Sequence, residues 1–251
     1  MSIQQRFFTM TLSFLIIVLL ALADGATAKD VKPVLIKVQS AFSPNLPGFG
    51  TTIEWVSKRA SIISNGSIRM KVYEPNKLVA PFEILDAVST RKIHAGFATP
   101  GYWAGKIPAA PIFTSIPFGP EAGEILAWLF YGNGGNLHQE MYDRAGYNVK
   151  ALVCGIISPE TSGWFTKPIN SPKDLKGLKM RFFGLGGKVM QKLGVAITLL
   201  PGGEIFPALE KGVIDATEFS TPAIDERLGF YKIAKYNYYP GWHQQATVLE
   251  L

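Results

Sequence analysis

Apolar and polar positions alternate along Val34-Leu35-Ile36-Lys37-Val38-Gln39 and again along Ile68-Arg69-Met70-Lys71-Val72-Tyr73, which predicts two strands. Between them Trp55, Val56, Ala60 and Ile63 recur at helical spacing, so they predict the inner face of a helix that ends near Asn65-Gly66. A second helix is expected over 81–90, with Ile84, Leu85 and Val88 inward, leading to a short strand at His94-Ala95-Gly96-Phe97-Ala98. Strand, helix, strand, helix, strand is the order of an α/β fold with a parallel sheet and right-handed crossovers. Gly, Pro and aromatic residues, Tyr102 and Trp103 among them, then break the pattern over 101–118. Helices follow at 121–131 and 137–145, and the continuous apolar run from Val149 to Ile157 predicts a strand buried at a sheet centre. A crossing into a second lobe is placed at that run.

The second half repeats the alternation. Trp164-Phe165, 178–183, 197–199 and 214–218 predict strands, and 204–211 predicts a helix. In KGLKMRFFGLGGKVMQKLG, residues 176–194, a strand would carry Lys179, Arg181 and Phe183 on one side and Met180 and Phe182 on the other. Gly184, Gly186 and Gly187 then predict a turn, and Val189, Met190 and Leu193 a helix closed by Gly194. An arginine at the mouth of a strand beside a helix start can hold an anion, because the guanidinium grips a carboxylate with two parallel hydrogen bonds and the helix N–H groups add positive field. A solvated basic strand end is the alternative. Gly184-Leu185-Gly186 begins G-x-G, but Val189 stands where a dinucleotide fingerprint has its third glycine, and the preceding strand is too basic for a buried first strand.

Ile93-His94-Ala95-Gly96-Phe97-Ala98-Thr99-Pro100 is echoed by Ile214-Asp215-Ala216-Thr217-Glu218-Phe219-Ser220-Thr221-Pro222 with one residue inserted, each after a predicted helix. Two related α/β lobes, over 29–150 and 151–251, are therefore expected to face each other across a ligand cleft. Thr99, Tyr102, Arg181 and Glu218 all fall at the carboxyl ends of strands, where such folds hold ligands.

Arg6, the apolar run from Thr9 to Ala23 and Ala26-Thr27-Ala28 read as a secretory signal peptide over 1–28, with an uncleaved anchor as the alternative. Export of the mature protein follows from it. Removing those residues takes away Arg6 and Asp24 and leaves the net charge at +6. Basic residues occur singly or in pairs, with no nucleic-acid motif, which favours small anions over DNA as partners. The lone cysteine, Cys154, lies in an apolar run and reads as a buried side chain. The last residues, Ala246-Thr247-Val248-Leu249-Glu250-Leu251, read as a strand in mid-course. A fragment is expected, its last strand lacking neighbours and leaving an open sheet edge.

Glu160, Arg181 and Glu218 are the charged residues placed at the cleft. They could be a general acid/base pair, a cation site with a carboxylate clamp, or surface ions. No Ser, His or Cys stands at a motif spacing that would supply a nucleophile. His94, His138 and His243 are too scattered for a transition-metal motif. His243 sits in the aromatic loop Tyr238-Tyr239-Pro240-Gly241-Trp242-His243-Gln244, a candidate cleft wall.

Three stretches, GWFTKPINSPKDLKGLKMRFFGLGGKVMQKLGV, LPGGEIFPALEKGVIDATEFSTP and GFYKIAKYNYYPGW, resemble the periplasmic solute-binding proteins of TRAP transporters, and most of all the branch that takes 2-oxo acids and other monocarboxylates. The resemblance runs from about residue 33 to the end. It implies a bilobal α/β periplasmic-binding fold that closes on an organic anion and delivers it to a membrane permease, with no organic cofactor. Arg181 would form the carboxylate salt bridge, and Glu160, Tyr102, Phe219 and His243 would stand beside the ligand. In the oxo-acid branch a cation is held by a glutamine, a glutamate and the carbonyl of a following tryptophan, which match Glu160, Glu218 and Phe219 here. Na+ or Ca2+ is thus implied, and the extra charge of Glu160 favours Ca2+. His243-Gln244 replaces a bulkier aromatic and acidic pair, which implies a ligand larger than pyruvate. A homodimer is left open. An exported hydrolase or lyase using Glu160 and Glu218 is the competing expectation.

Overall fold

The computed structural model describes residues 32–251. The signal peptide expected over 1–28 lies outside the described residues, among which no helix is long and apolar enough to cross a membrane.

Alternation forms β1 (Val34–Ser40) and β2 (Ile68–Tyr73), joined by α1 (Gly50–Ile63). The inner face of α1 is rotated from the expected one. Ile53 is fully buried, whereas Trp55 and Ile63 are 62% and 79% exposed, and Arg59 lies over the Trp55 ring. α2 (Ile84–Ser89) buries Ile84 and Leu85 as expected and leads into β3 (Ala95–Phe97). The sheet order is β2-β1-β3, with β1 and β3 parallel and Val38 opposite Ala95. α3 (Ala122–Tyr131) and α4 (Gly134–Arg144) follow; the Glu124 carboxylate accepts from the Glu121 N–H at 2.9 Å and so caps α3.

The apolar run 149–157 is not a buried central strand. Only Val153–Ile157 forms β4, it is mostly half-buried, and its partner is β10 (Thr247–Glu250), antiparallel. β10 in turn bridges to Ala98 past the end of β3, with Ala98 and Glu250 exchanging backbone bonds of 3.1 and 3.0 Å. β10 therefore has neighbours on both sides and all four residues buried, which corrects the expected open edge at the last strand. Backbone bonds in both directions between Leu152 and Leu251, each 2.9 Å, extend the pairing.

A second sheet contains β5 (Gly163–Phe165), β6 (Lys179–Arg181), β7 (Ala196–Thr198), β8 (Ala216–Thr217) and β9 (Tyr236–Tyr238) in the order β7-β6-β8-β5-β9. β6 is parallel to β7 and β8, and β5 is antiparallel to β8 and β9. α5 (Gly184–Lys192) starts at the glycines that were expected to form a turn. Gly186 has to lack a side chain, since a Cβ there would lie 2.6 Å from the Phe182 ring. The alternation expected across 179–183 stops at Met180, because Met180, Arg181, Phe182 and Phe183 are all buried. α6 (Gly202–Glu210) and α7 (Pro222–Leu228) complete this half, and α7 has no counterpart in the sequence reading.

The sequence echo has a structural form. β3 and β8 each run into a Thr-Pro pair, Thr99-Pro100 and Thr221-Pro222, in which the threonine is extended and the proline opens a helical turn. Proline is suited to that first position because its missing N–H would have no partner there. One apolar core runs from Val38, Ile53 and Phe97 through Phe183 and Ile205 to Phe219 and Leu249, so it encloses the strand ends at which the charged residues gather.

Candidate functional site

Arg181 is the last residue of β6 and Glu218 follows β8 directly, so two parallel neighbours deliver a guanidinium and a carboxylate to one place. Arg181 Nη1 donates to Glu218 Oε1 at 2.8 Å and to the Glu218 carbonyl at 2.7 Å, and Nε donates to the Leu200 carbonyl at 3.1 Å. The Phe183 N–H also donates to Glu218 Oε1, at 2.5 Å. Both side chains are buried, with Arg181 1% and Glu218 0% exposed. The guanidinium carbon lies 5.3 Å from the Phe219 ring and 5.9 Å from the Phe183 ring, which fixes its plane. Both Nη2 hydrogens are left without a protein partner among the described residues.

Glu160 arrives from the loop after β4. Its N–H donates to the Gln244 carbonyl at 3.2 Å, and its own carbonyl accepts from the Gly241 N–H at 2.8 Å, so the loops at 160 and 241–244 are tied together. Glu160 Oε1 accepts from Thr247 Oγ1 at 2.9 Å, and Thr247 Oγ1 accepts from Gln244 Nε2 at 2.6 Å. Glu160 Oε2, Glu218 Oε2 and Gln244 Oε1 are buried oxygens without a hydrogen-bond partner. Glu160, Glu218 and His243 present ligand atoms that all lie within 4.8 Å of one another. Buried oxygens are costly to leave unpaired, and this oxygen-rich set fits a hard cation.

Electrostatics separate the two carboxyls. Burial, then the charge of Glu218, pushes Glu160 well above the usual carboxylate range. Burial also pushes Glu218 upward, but Arg181, His243 and the Phe183 N–H outweigh it and hold Glu218 below its ordinary value. Of the two carboxyls, Glu160 is therefore the one that holds a proton more tightly and Glu218 the one that favours the carboxylate. Burial raises the Tyr102 hydroxyl to about 12, so it remains a hydrogen-bond donor. Behind the site, Asp225 on α7 accepts from Trp164 Nε1 at 2.8 Å, and burial lifts it to about 7.

Arg181, Glu160, Tyr102 and Phe219 line a small cavity of about 20 Å³. Glu218 stands behind Arg181 and does not line it. His243 is likewise outside; its ring centroid is 4.8 Å from that of Phe182 and its Nε2 is 3.5 Å from Glu218 Oε2, while Gln244 and Thr247 face the cavity. Phe42, Phe49, Phe183 and Thr247 complete the wall and were missed in the sequence. Phe42 and Phe183 each follow the end of a strand, β1 and β6, and that position was the available signal. Gly101 and Gly202 make room for the rings, since a Cβ would lie 2.2 Å from Phe183 Cζ and 2.7 Å from Phe219 Cζ respectively.

An aromatic box around an arginine with a free edge, beside oxygens that suit a cation, is the architecture of a capture site for a small organic anion. The lining contains no Ser, Cys or His to act as a nucleophile. The family described as bacterial extracellular solute-binding protein, family 7, matches residues 39–250, and the chain belongs to it. A monocarboxylate 2-oxoacid-binding periplasmic protein of Nostoc sp. strain PCC 7120 is 42% identical over 198 residues, which cover 79% of this chain and 54% of that protein. A TRAP periplasmic solute-binding protein from Pseudoalteromonas atlantica, solved with sodium and pyruvate bound, is 37% identical with a TM-score of 0.82, covering 87% of this chain and 66% of its own. One from Colwellia psychrerythraea, solved with calcium and pyruvate, is 39% identical with a TM-score of 0.81 over the same shares. The chain thus spans about half the length of the curated relative. Family and relatives are solute-binding proteins and give no support to a hydrolase or lyase.

Proposed function

We propose that this chain is the ligand-capturing part of a TRAP-type solute-binding protein, which takes a small organic monocarboxylate of the 2-oxo-acid kind in the periplasm and hands it to a membrane permease. The observation that carries the reading is the free Nη2 edge of Arg181, on a guanidinium whose other N–H groups are tied to Glu218 and Leu200, at a cavity also lined by Tyr102 and Glu160. The ligand carboxylate accepts from that edge, and the Tyr102 hydroxyl donates to a second ligand oxygen. The aromatic rings exclude water, which strengthens both contacts. The identity and the bound ligands of the relatives support the same substrate class.

Charge decides the ion. Glu218 already neutralises Arg181, so a bound carboxylate brings an uncompensated negative charge into a buried site. Na+ would balance the ligand while Glu160 stays protonated. Ca2+ would balance the ligand together with an ionised Glu160, and the orphaned oxygens of Glu160, Glu218 and Gln244 favour this second state. The Phe219 carbonyl and the ligand would complete the set. Cation, ligand and Glu160 together are then neutral.

We place β1–β4 with β10 in one lobe and β5–β9 in the other, which moves the crossing from 150 to the segment between Ile157 and Gly163, with a return before Thr247. Closure of these lobes around the ligand is the proposed cycle. Export by cleavage after Ala28 belongs to the same reading, and self-association as a homodimer is tested by sedimentation of the full-length protein. The function itself is tested by thermal shift with a panel of carboxylates plus calcium, followed by mass spectrometry of the incubated ligand. A raised Tm with pyruvate or a larger 2-oxo acid recovered intact is expected. Conversion of the ligand, or no shift with any carboxylate, would overturn it.

A further inference from the structure

Among the described residues, His243 is the histidine whose two ring nitrogens both lack a hydrogen-bond partner. It is 1% exposed, so solvent does not satisfy them. The other histidines are engaged: His94 Nδ1 accepts from the Lys37 N–H at 3.0 Å, and His138 Nε2 stands 3.0 Å from Glu250 Oε2. Packing fixes the His243 ring. Its centroid is 4.8 Å from that of Phe182, edge to face, and 5.6 Å from that of Trp242. Gly186 leaves room beside it, since a Cβ there would lie 2.9 Å from His243 Cβ. So placed, Nε2 is 3.5 Å from Glu218 Oε2. A hydrogen bond would be shorter, about 2.7–3.2 Å. Two ligand atoms on one tetrahedral ion, each about 2.1 Å from the metal, stand about 3.4 Å apart. The separation therefore suits two donors to a shared ion better than a donor and its acceptor.

Glu218 Oε2 and Glu160 Oε2 are orphaned in the same place, and one ligand atom from each of the three residues falls within a span of 4.8 Å. We propose, on the basis of the cation reading above, that His243 is a third protein ligand to the ion and that the site prefers a first-row divalent cation such as Zn2+ or Co2+ to Ca2+ or Na+. Such an ion carries the same charge as Ca2+, so it neutralises Glu160 and the bound carboxylate equally well. The nitrogen makes the difference. Calcium is held by oxygen ligands and gains little from an imidazole, whereas zinc and its neighbours in the row are suited to one.

The test is a titration of the metal-free protein with Co2+ and, separately, with Ca2+, read by calorimetry and by the visible absorption of bound Co2+. One equivalent of Co2+ should develop the absorption bands, bind at least about tenfold more tightly than Ca2+, and be displaced only by excess Ca2+. His243→Gln puts an amide oxygen in place of the ring nitrogen, so the ratio of Co2+ to Ca2+ affinity should fall at least about tenfold, with Tm reporting that the variant is folded. The competition in the wild type decides the matter even where the variant does not fold. Calcium binding as tightly as cobalt would overturn the proposal. So would Co2+ that no excess of Ca2+ displaces, since it would then sit elsewhere, for example on the exposed His94. An unchanged affinity ratio in His243→Gln would leave the imidazole a packing role and overturn it too. In each of these cases Ca2+ still binds and the cation reading stands; binding of neither ion would remove both.

Discussion

Replacing Glu160 by glutamine tests the electrostatic design of the site more sharply than truncation does, because the shape and the hydrogen bond from Thr247 are retained while one charge is removed. Ligand atoms of Glu160 and Glu218 lie within 4.8 Å. Two unit charges at that distance repel by about 3.5 kcal/mol at an effective dielectric of about 20. On the proposed reading, Glu160, pushed well above the usual carboxylate range by burial and by Glu218, keeps a proton until a cation arrives. Calcium binding must then displace that proton, so affinity should rise about tenfold per pH unit wherever Glu160 is still protonated. In Glu160→Gln no proton is displaced and the profile should be flat over that range. Above it the variant should bind calcium more weakly by about 3 kcal/mol, which is over a hundredfold. Calorimetry in two buffers of different ionisation enthalpy counts the released proton directly. Equal calcium affinities and equal pH slopes in the two proteins would refute the assignment of Glu160 to the cation.

Two further substitutions probe the surroundings. Asp225 titrates near 7 in the folded protein and near 3.9 in the unfolded chain. The folded state therefore holds a proton that the unfolded state has released, and stability should fall between pH ~4 and ~7 and level off above, by about 4 kcal/mol. Glu160 acts in the same direction, so urea denaturation is best compared in Glu160→Gln with and without Asp225→Asn; a slope that survives in the double variant would exclude Asp225 as its source. Gly202→Ala places a Cβ 2.7 Å from Phe219 Cζ and should cost about 1–3 kcal/mol as the ring moves off Arg181. An unchanged Tm and unchanged ligand affinity would show that the ring is not held there.

Elements with a clean period were legible in the sequence. β1, β2 and the strand–helix order of the first half follow from alternation, and the shared Thr-Pro ends of β3 and β8 were visible as the internal echo. Arg181 could be singled out because an arginine at a strand end beside a glycine turn and a helix start suits an anion, with a solvated strand end as the alternative. The inner face of α1 was misread because the expected stripe ran through two large apolar residues that point outward, Trp55 and Ile63, and left out Ile53, which is fully buried. β4 was misread because a continuous apolar run does not say how many neighbours a strand has. The Glu160–Thr247–Gln244 chain joins residues 87 positions apart and has no local signature at all. Asp225 escaped notice because α7 is only seven residues long and lies between two turns that hide its period. His243 was placed at the cavity, while its neighbour Gln244 occupies that position, since a loop carries no periodicity from which facing can be read.

The central claim is that Arg181 holds the carboxylate of a captured anion. Arg181→Ala would also strip the buried Glu218 of its partner and so confound binding with folding, at a cost of about 3–5 kcal/mol. Arg181→Lys keeps the charge and loses the planar edge. The decisive measurement is a calorimetric titration of pyruvate, in the presence of calcium, into the wild type and Arg181→Lys, each first shown to be folded by its Tm. A loss of roughly 2–5 kcal/mol, at least tenfold in Kd, is the predicted result. Equal affinities in the two proteins would contradict the account.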